Sequence, residues 1–274
     1  MADTILDEIV ANRRLEVEAL KQKVPVHHLQ ERIRQLGSPR NFRAMLRGPQ
    51  VKVIAEIKYG SPSHGAFDQL LDPRVLAQEY SGNGASAISC VTEAKFFHGY
   101  DFMVHRARSY MPLPVLRKDF ICDDYQVYES RALEADAILL IVAALRDLEL
   151  RLLLQLAKSL DLGVLVETHN AEEIQRALDA GAEVIGINNR DLKTMTVDLA
   201  HTEALASRVP RDRLLVSESG VHGIEDVQRL AACGVDAVLV GSILMESEDP
   251  GQRLRPLTSV QARPGERPRD RTEV

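Results

Sequence analysis

Residues 51–60, VKVIAEIKYG, decide how the rest of the chain is expected to fold. Side chains alternate along a strand, so Glu56 and Lys58 share one face with Ile54, while the side chains between them are all apolar. The apolar face can pack under helices, which leaves two opposite charges facing a common interior. A buried polar group without a partner costs roughly 2 to 7 kcal/mol. The stretch therefore predicts a buried strand that ends in an active site.

Seven more short apolar runs follow at regular intervals. Polar or glycine-containing junctions join them to segments with apolar residues at helical spacing, such as NAEEIQRALDAGAE and GIEDVQRLAACGVD. Several of these segments begin at Asp or Asn and end near Gly, which are helix start and stop signals. The eight predicted strands are residues 51–57, 85–92, 113–120, 137–143, 163–168, 184–189, 214–219 and 237–242.

Eight strand-then-helix units with strands apolar on both faces predict a parallel sheet covered by helices. A closed barrel is the natural solution, since such barrels typically need about 250 residues. An open, doubly wound sheet stays as the alternative, but it would usually carry a Gly-rich dinucleotide fingerprint after its first strand, and the sequence has none. The expected fold class is α/β, a (β/α)8 TIM barrel with an N-terminal helical extension.

The chain is expected to form a single domain over residues 1–274, because no low-complexity linker divides it. Residues 1–50 do not follow the strand-helix alternation and carry apolar residues at roughly helical spacing, so they predict a helical extension that packs on the barrel or covers one of its ends. The barrel itself is assigned to residues 51–256. Residues 257–274, rich in Pro, Arg and Asp, predict a flexible tail.

Composition limits the classes of partner. The chain has 274 residues, 45% hydrophobic and 27% charged, with a formal net charge of -6. That charge gives no general attraction for nucleic acid or anionic membranes, and no apolar run approaches the ~20 residues that span a bilayer. A cytoplasmic location is expected, as a monomer or at most a weak dimer. The three cysteines are read as reduced thiols, and neither they nor the histidines have the spacing of metal ligands, so no metal or other cofactor is expected.

Polar side chains recur at the carboxyl ends of the predicted strands, where barrels of this kind carry their chemistry. Taken singly, each has another explanation: a buried ion pair for Glu56 and Lys58, solvated charge for Arg117-Lys118-Asp119, and a loop cap for Asn188 and Arg190. Several strands that deliver polar groups to the same end favour an active site. The strand-end candidates are Glu56, Lys58, Lys118, Glu167, Asn188, Arg190 and Glu218.

The last two strands end in Ser219-Gly220 and Gly241-Ser242, each followed by a helical pattern. Glycine lets the backbone approach a ligand, and the amides at a helix start attract anions. A phosphate site after strands seven and eight recurs in these barrels. The sequence therefore predicts that these four residues bind a phosphate group.

The motifs IAEIKYGSPS, LRKDF, LVETHN, IGINNRDL, SESG and LVGSILM occur in an order that resembles the indole-3-glycerol phosphate synthase family, from the helical N-terminus to about residue 255. The resemblance implies a carbon-carbon lyase of tryptophan biosynthesis that acts without a metal or cofactor. In this reaction 1-(2-carboxyphenylamino)-1-deoxyribulose 5-phosphate closes to indole-3-glycerol phosphate with loss of CO2 and water.

The resemblance also implies roles for individual residues. Lys118 would protonate the substrate carbonyl, Lys58 would hold an anionic group with Glu56 beside it for the later dehydration, and Glu167 would accept a proton from the ring intermediate. The remaining positions would contact the substrate. Polar contacts would come from Ser61, Asn188, Arg190 and Glu218. The anthranilate ring of the substrate would pack against Phe97 and Phe120, and its phosphate would be bound by Ser219, Gly220, Gly241 and Ser242.

Some positions depart from the pattern of the family. Tyr59 and His64 stand where it commonly has basic residues, and Tyr100 replaces a small residue. These changes bear on loop closure and substrate affinity. The alternatives left open are another phosphate-binding barrel, such as an isomerase or a Schiff-base aldolase, and a barrel of the same family that has altered or lost its catalysis.

Overall fold

Eight parallel strands close into a barrel in the computed structural model, which describes residues 4–62, 65–67, 71–263 and 267. Neighbouring strands pair in chain order, and the first strand pairs with the last. The (β/α)8 prediction is confirmed, and each strand lies within a predicted run. The barrel strands are β1 Lys52–Ile57, β2 Ala87–Val91, β3 Val115–Lys118, β4 Ala137–Ile141, β5 Gly163–Thr168, β6 Val184–Asn188, β7 Leu214–Glu218 and β8 Ala237–Val240, and Gly60–Ser61 pairs with Gly65–Ala66 in a separate two-stranded sheet.

Helices cover the outside of the barrel and begin at the expected capping residues. Asp72, Asp123 and Asn170 each accept a backbone N–H of the helix that follows, which satisfies one of its unpaired donors. The helices are α1 Ile5–Lys23, α2 Val26–Arg34, α3 Phe42–Met45, α4 Pro73–Gly82, α5 Phe102–Arg108, α6 Asp124–Ala132, α7 Asp147–Ser159, α8 Ala171–Ala180, α9 Ala200–Leu205, α10 Ile224–Ala232, α11 Ser242–Met245 and α12 Pro250–Leu254.

The alternation of side chains separates two apolar clusters. Ile54, Leu116 and Leu139 belong to the cluster inside the barrel, whereas Val53 and Ile57 pack under the helices. The faces expected for β1 are therefore confirmed, and Glu56 and Lys58 follow Ile54 into the interior. None of the helices in the described ranges is long and apolar enough to cross a membrane.

The N-terminal extension contacts both ends of the barrel, whereas the sequence predicted that it packs on the barrel or covers one of its ends. Leu6 and Ile9 of α1 line the cavity at the carboxyl ends of the strands. Phe42 of α3 lies at the amino end, against the first residue of β5, where a Cβ on Gly163 would lie 2.8 Å from the Phe42 Cβ. Glycine at the start of β5 thus allows Phe42 to close the bottom of the barrel.

Residues 257–274 were predicted to be loose, and the described part of this segment is packed instead. Leu257 and Val260 are buried in the outer apolar cluster, and Gln261 forms a β-bridge with Gln50. Arg267 is buried and donates to backbone carbonyls that include those of Val209 and Pro210. These hydrogen bonds attach a polar segment to the barrel. The amino-acid composition of the tail does not reveal this attachment. The rest of the tail and His64 lie outside the described residues.

Candidate active site

A cavity of about 220 Å³ opens at the carboxyl ends of the strands. Every one of the fourteen predicted site residues lines it, although they come from loops and strands spread over more than 180 positions. They are Glu56, Lys58, Ser61, Phe97, Lys118, Phe120, Glu167, Asn188, Arg190, Glu218, Ser219, Gly220, Gly241 and Ser242. The parallel strands bring these residues together because all of their carboxyl ends meet at one face.

Lys118, at the end of β3, lies among carboxylates. Its Nζ atom is 3.6 Å from Glu167 Oε2 and 3.6 Å from Glu218 Oε2. Burial of the amine opposes its charge, but the negative charges of Glu167, Glu218 and Glu56 outweigh that cost and raise the pKa of Lys118. The site therefore holds a charged ammonium that can donate a proton.

Glu167 and Glu218 have different environments although both face Lys118. Burial raises the pKa of Glu167, but the charge of Lys118, contacts with His169 and a hydrogen bond of 3.0 Å from Asn188 Nδ2 prevail and lower it. Burial and the neighbouring Glu167 charge raise the pKa of Glu218 to about 8. At neutral pH the pair thus holds one carboxylate and one carboxylic acid, the arrangement that separates an acid role from a base role.

Lys58 lies on the opposite side of the cavity from β5. Its Nζ atom is 3.4 Å from Glu56 Oε1 and donates a 2.8 Å hydrogen bond to Ser242 Oγ. A Cβ on Gly241 would lie 2.5 Å from Glu56 Oε1. Glycine is therefore needed at the end of β8 because the backbone there lies close to the Glu56 side chain. This reason adds to the one given from the sequence, which was the approach of the backbone to a ligand.

The loop after β7 has an unusual backbone. Ser219 and Gly220 both have positive φ angles, 65° and 90°. Asn189 Nδ2 donates to the carbonyls of Glu218 and Ser219 at 3.0 and 2.9 Å, which fixes the two peptides. The loop is thus held in a defined conformation beside Ser242, as a binding site for a small anion requires.

An apolar wall faces the charged groups. The rings of Phe97 and Phe120 lie 5.7 Å apart between centroids, and Ile5 and Leu6 of α1 complete the wall. Phe97 is positioned by Glu93, whose buried carboxylate accepts the Phe96 and Phe97 N–H groups at 2.7 and 3.1 Å. Sequence reasoning missed Glu93; its signal was an acidic residue two positions after the end of β2.

Asn188 and Arg190 line the cavity as expected from the alternation in β6. Asn188 Oδ1 accepts the Arg190 N–H at 3.0 Å, and Arg190 Nη1 donates to the Met195 carbonyl at 3.1 Å. These bonds hold the Arg190 side chain against the loop that follows β6. A guanidinium held in this way suits recognition of a carboxylate.

Solvated charge, the other explanation given for Arg117-Lys118-Asp119, is wrong, because Arg117 and Asp119 are buried. Strand alternation sends Lys118 inward and Arg117 outward, while Asp119, directly after β3, lies at the edge of the cavity. Arg117 is fully buried behind the barrel and donates hydrogen bonds to Asp119 at 3.1 Å and to Glu129 at 2.8 Å. Asp119 Oδ2 also accepts from Arg13 Nη2 of α1 at 2.9 Å. The two residues thus form a buried structural network next to the site.

His169 is the second residue that sequence reasoning missed. It follows β5 directly, and its Nε2 atom lies 3.3 Å from Glu167 Oε1. Its signal was present in LVETHN, where the histidine lies two positions after Glu167 and therefore on the same face of an extended chain.

A closed barrel with a buried lysine and glutamates at the carboxyl ends of its strands has the arrangement of a (β/α)8 enzyme. The family model described as indole-3-glycerol phosphate synthase matches residues 6–257. The chain belongs to the indole-3-glycerol phosphate synthase family.

Relatives cover nearly the whole chain. An indole-3-glycerol phosphate synthase of Acidithiobacillus ferrooxidans is 46% identical over 257 residues, which is 92% of this chain and 98% of the relative. The enzyme of the same name from Acetivibrio thermocellus is 42% identical and covers 93% of this chain and 100% of its own length. Membership in this family does not favour the alternative classes left open by the sequence.

Solved structures share the fold at low identity. The 3-hexulose-6-phosphate synthase of Salmonella typhimurium is 15% identical with a TM-score of 0.61 and covers 76% of this chain and 97% of its own. The thiamine phosphate pyrophosphorylase of Pyrococcus furiosus is 18% identical with a TM-score of 0.56 and covers 79% and 96%. These similarities support the barrel alone.

Proposed function

We propose that the chain converts 1-(2-carboxyphenylamino)-1-deoxyribulose 5-phosphate to indole-3-glycerol phosphate, CO2 and water, as a carboxy-lyase of tryptophan biosynthesis. The observation that carries the proposal is the position of Lys118 among Glu56, Glu167 and Glu218 in a family member.

Ring closure needs an acid at the substrate carbonyl. The aromatic carbon that bears the carboxylate attacks the carbonyl carbon, and the carbonyl oxygen takes a proton from the Lys118 ammonium. A lysine that is charged and directed into the cavity can supply this proton. The carboxylate then leaves as CO2, and its bonding electrons restore the aromatic ring.

Dehydration completes the indole. The new hydroxyl group leaves as water with a proton supplied on the Glu56–Lys58 side, and Glu167 removes a proton from the adjacent ring carbon. Because Glu167 Oε2 lies 3.6 Å from Lys118 Nζ, that proton can restore the lysine. Loss of a carboxylate as CO2 means that each turnover takes one further proton from solvent.

The remaining residues hold the substrate in the reactive conformation. The backbone amides of Gly220, Gly241 and Ser242 suit the phosphate, while Lys58, which donates to Ser242 Oγ, adds positive charge on the same side. Arg190 suits the substrate carboxylate. The Phe97 and Phe120 wall presses the anthranilate ring toward the carbonyl, and such positioning contributes strongly to rate.

The purified chain tests this function when it is mixed with the carboxyphenylamino-deoxyribulose phosphate. Indole fluorescence and an equal amount of CO2 are expected, with the same rate when a metal chelator is present. Intact substrate after prolonged incubation with folded protein would overturn the proposal.

We also propose that the protein works in the cytoplasm as a monomer. One chain supplies all fourteen candidate residues, so no second copy is needed to complete the cavity. The net charge of -6 gives no attraction to anionic surfaces. Sedimentation at working concentration should give the mass of one chain, and a dimer that dissociates with loss of activity would contradict this.

A further inference from the structure

Lys118 does not by itself decide which neighbouring glutamate stays charged. Glu167 Oε2 and Glu218 Oε2 both lie 3.6 Å from its Nζ atom, and both side chains are almost fully buried. Two carboxylates that share one cation at equal distance compete for the same proton, since like charges at short range disfavour double ionisation. Some other group must make the two sites unequal.

The difference lies on the outer side of Glu167. Its Oε1 atom accepts from Asn188 Nδ2 at 3.0 Å and lies 3.3 Å from His169 Nε2. Among the residues that the structure describes, neither carboxylate oxygen of Glu218 has a hydrogen-bond partner. Asn188 is neutral, so within the described part of the chain the additional charge next to Glu167 comes from the imidazole of His169.

His169 is itself built into the fold. Its Nδ1 atom lies 3.2 Å from Glu173 Oε2, and its backbone N–H donates to the same oxygen at 2.8 Å. Its carbonyl oxygen is 2.7 Å from the His201 Nε2 atom of α9. The side chain is only 13% exposed, so α8 and α9 fix the ring between two carboxylates.

We infer that His169 is a positioning residue that makes Glu167, rather than Glu218, the charged carboxylate beside Lys118. An imidazolium between Glu173 and Glu167 has its Nδ1 atom 3.2 Å from Glu173 Oε2 and its Nε2 atom 3.3 Å from Glu167 Oε1, the second contact being an ion pair without a hydrogen bond. Its positive charge favours the ionised form of Glu167. Glu218 lacks such a neighbour and keeps the proton. His169 therefore assigns the base role to Glu167 without touching the substrate.

Electrostatics agree with this geometry. Burial opposes the charge of His169, but Glu167 and Glu173 raise its pKa to about 10. The groups that act on the glutamate pair are Lys118 from β3, Glu56 from β1 and His169, while Glu173 from α8 acts on the histidine. His169 is thus expected to remain an imidazolium throughout the neutral range.

The inference rests on the proposed function of Glu167, so the first test does not depend on turnover. The 15N resonances of the His169 ring in the full-length protein should show both nitrogens protonated at neutral pH. A neutral ring at neutral pH would overturn the inference even if the enzyme is fully active.

The second test uses His169→Gln, with Glu173→Gln as a milder variant that keeps the ring. Loss of the positive charge should lower kcat with little change in KM. It should also move the alkaline limb of the pH profile of kcat/KM upward by about one pH unit, because the proton that Glu167 and Glu218 share becomes harder to remove. A purely structural role would lower activity without moving the limb, and that result would overturn the inference.

Two controls make the test specific. In a Glu167→Gln background, His169→Gln should cause no further loss of kcat, since the residue acts through Glu167; an additive loss would contradict the inference. His105→Gln removes a comparable histidine–glutamate pair, in which His105 Nδ1 of α5 lies 2.9 Å from Oε1 of Glu134, which follows α6. This variant should leave both kcat and the alkaline limb unchanged.

Discussion

Individual side chains in the cavity obtain their chemistry from their neighbours. Lys118 stays charged despite burial because three glutamates surround it, and Glu218 holds a proton at neutral pH because burial and the charge of Glu167 raise its pKa to about 8. A glutamate in water would be ionised at neutral pH. The arrangement therefore gives the site an ammonium, a carboxylate and a carboxylic acid within a few ångströms.

Glu167→Gln tests the base at this scale. The amide keeps the shape of the side chain but cannot accept the ring proton, so kcat should fall by roughly 10² to 10⁴ with little change in KM. Glu172→Gln, an exposed change on α8, serves as the control. A change in KM alone would assign Glu167 to binding instead of proton transfer.

Sequence patterns predict residues whose direction follows from strand alternation. Glu56, Lys58 and Asn188 were found because each continues the inward face of its strand. The same rule sends Arg117 outward, away from the cavity. Glu93 lies in a loop, where no periodicity fixes direction, so its contacts needed the structure. His169 shares the face of Glu167 by the same rule, but its contact with Glu173 of α8 needed the structure.

The helical extension is joined to the catalytic strand by one buried ion pair. Arg13 of α1 donates to Asp119, the residue after Lys118, at 2.9 Å. The sequence predicted that apolar residues at helical spacing pack this segment on the barrel, yet Leu15 is 74% exposed and Arg13 is buried. A charged residue in that position is invisible to a pattern of hydrophobicity, because its partner lies 106 residues away.

Arg13→Met tests how much the Arg13–Asp119 ion pair stabilises the fold. Asp119 would keep Arg117 and Thr92 but lose one charged donor, so the free energy of unfolding should fall by about 1 to 3 kcal/mol. Urea denaturation measures the change. Arg14→Met is the matched control, because Arg14 is half-exposed and 3.8 Å from Glu149. Equal losses in the two variants would contradict a special role for Arg13.

Across the whole molecule, the buried glutamates couple stability to pH. Glu218, with a pKa raised from 4.5 to about 8, stabilises the fold fully below pH 4.5, and this contribution is lost as the pH rises through 8. Glu167 acts in the opposite direction: its stabilisation is present above pH 4.5 and is lost as the pH falls toward its lowered pKa.

Glu218→Gln tests the alkaline part of this coupling. The amide has no proton to release, so the free energy of unfolding should fall less between about pH 6 and about pH 9 in the variant than in the unmodified protein. Urea denaturation across that range gives both curves. Parallel curves would show that Glu218 is not protonated in the folded state at neutral pH.

The barrel could be predicted at the scale of the whole molecule because its eight strands repeat one local pattern. Each run was apolar on both faces and followed by a segment with helical spacing, and several of these segments began at a capping residue, so the prediction needed no long-range contact. The ends of the chain follow no such repeat. Phe42 at the bottom of the barrel and Arg267 near Val209 are placed by contacts with distant residues, which local sequence does not encode.

The central claim is that Lys118 donates the proton that drives ring closure, and kcat for Lys118→Ala tests it most directly. The variant should fold normally and lose roughly 10² to 10⁴ in kcat. Lys95→Ala, which changes an exposed lysine beside Phe96, should leave kcat unchanged. A folded Lys118→Ala variant with near-normal kcat would contradict the account.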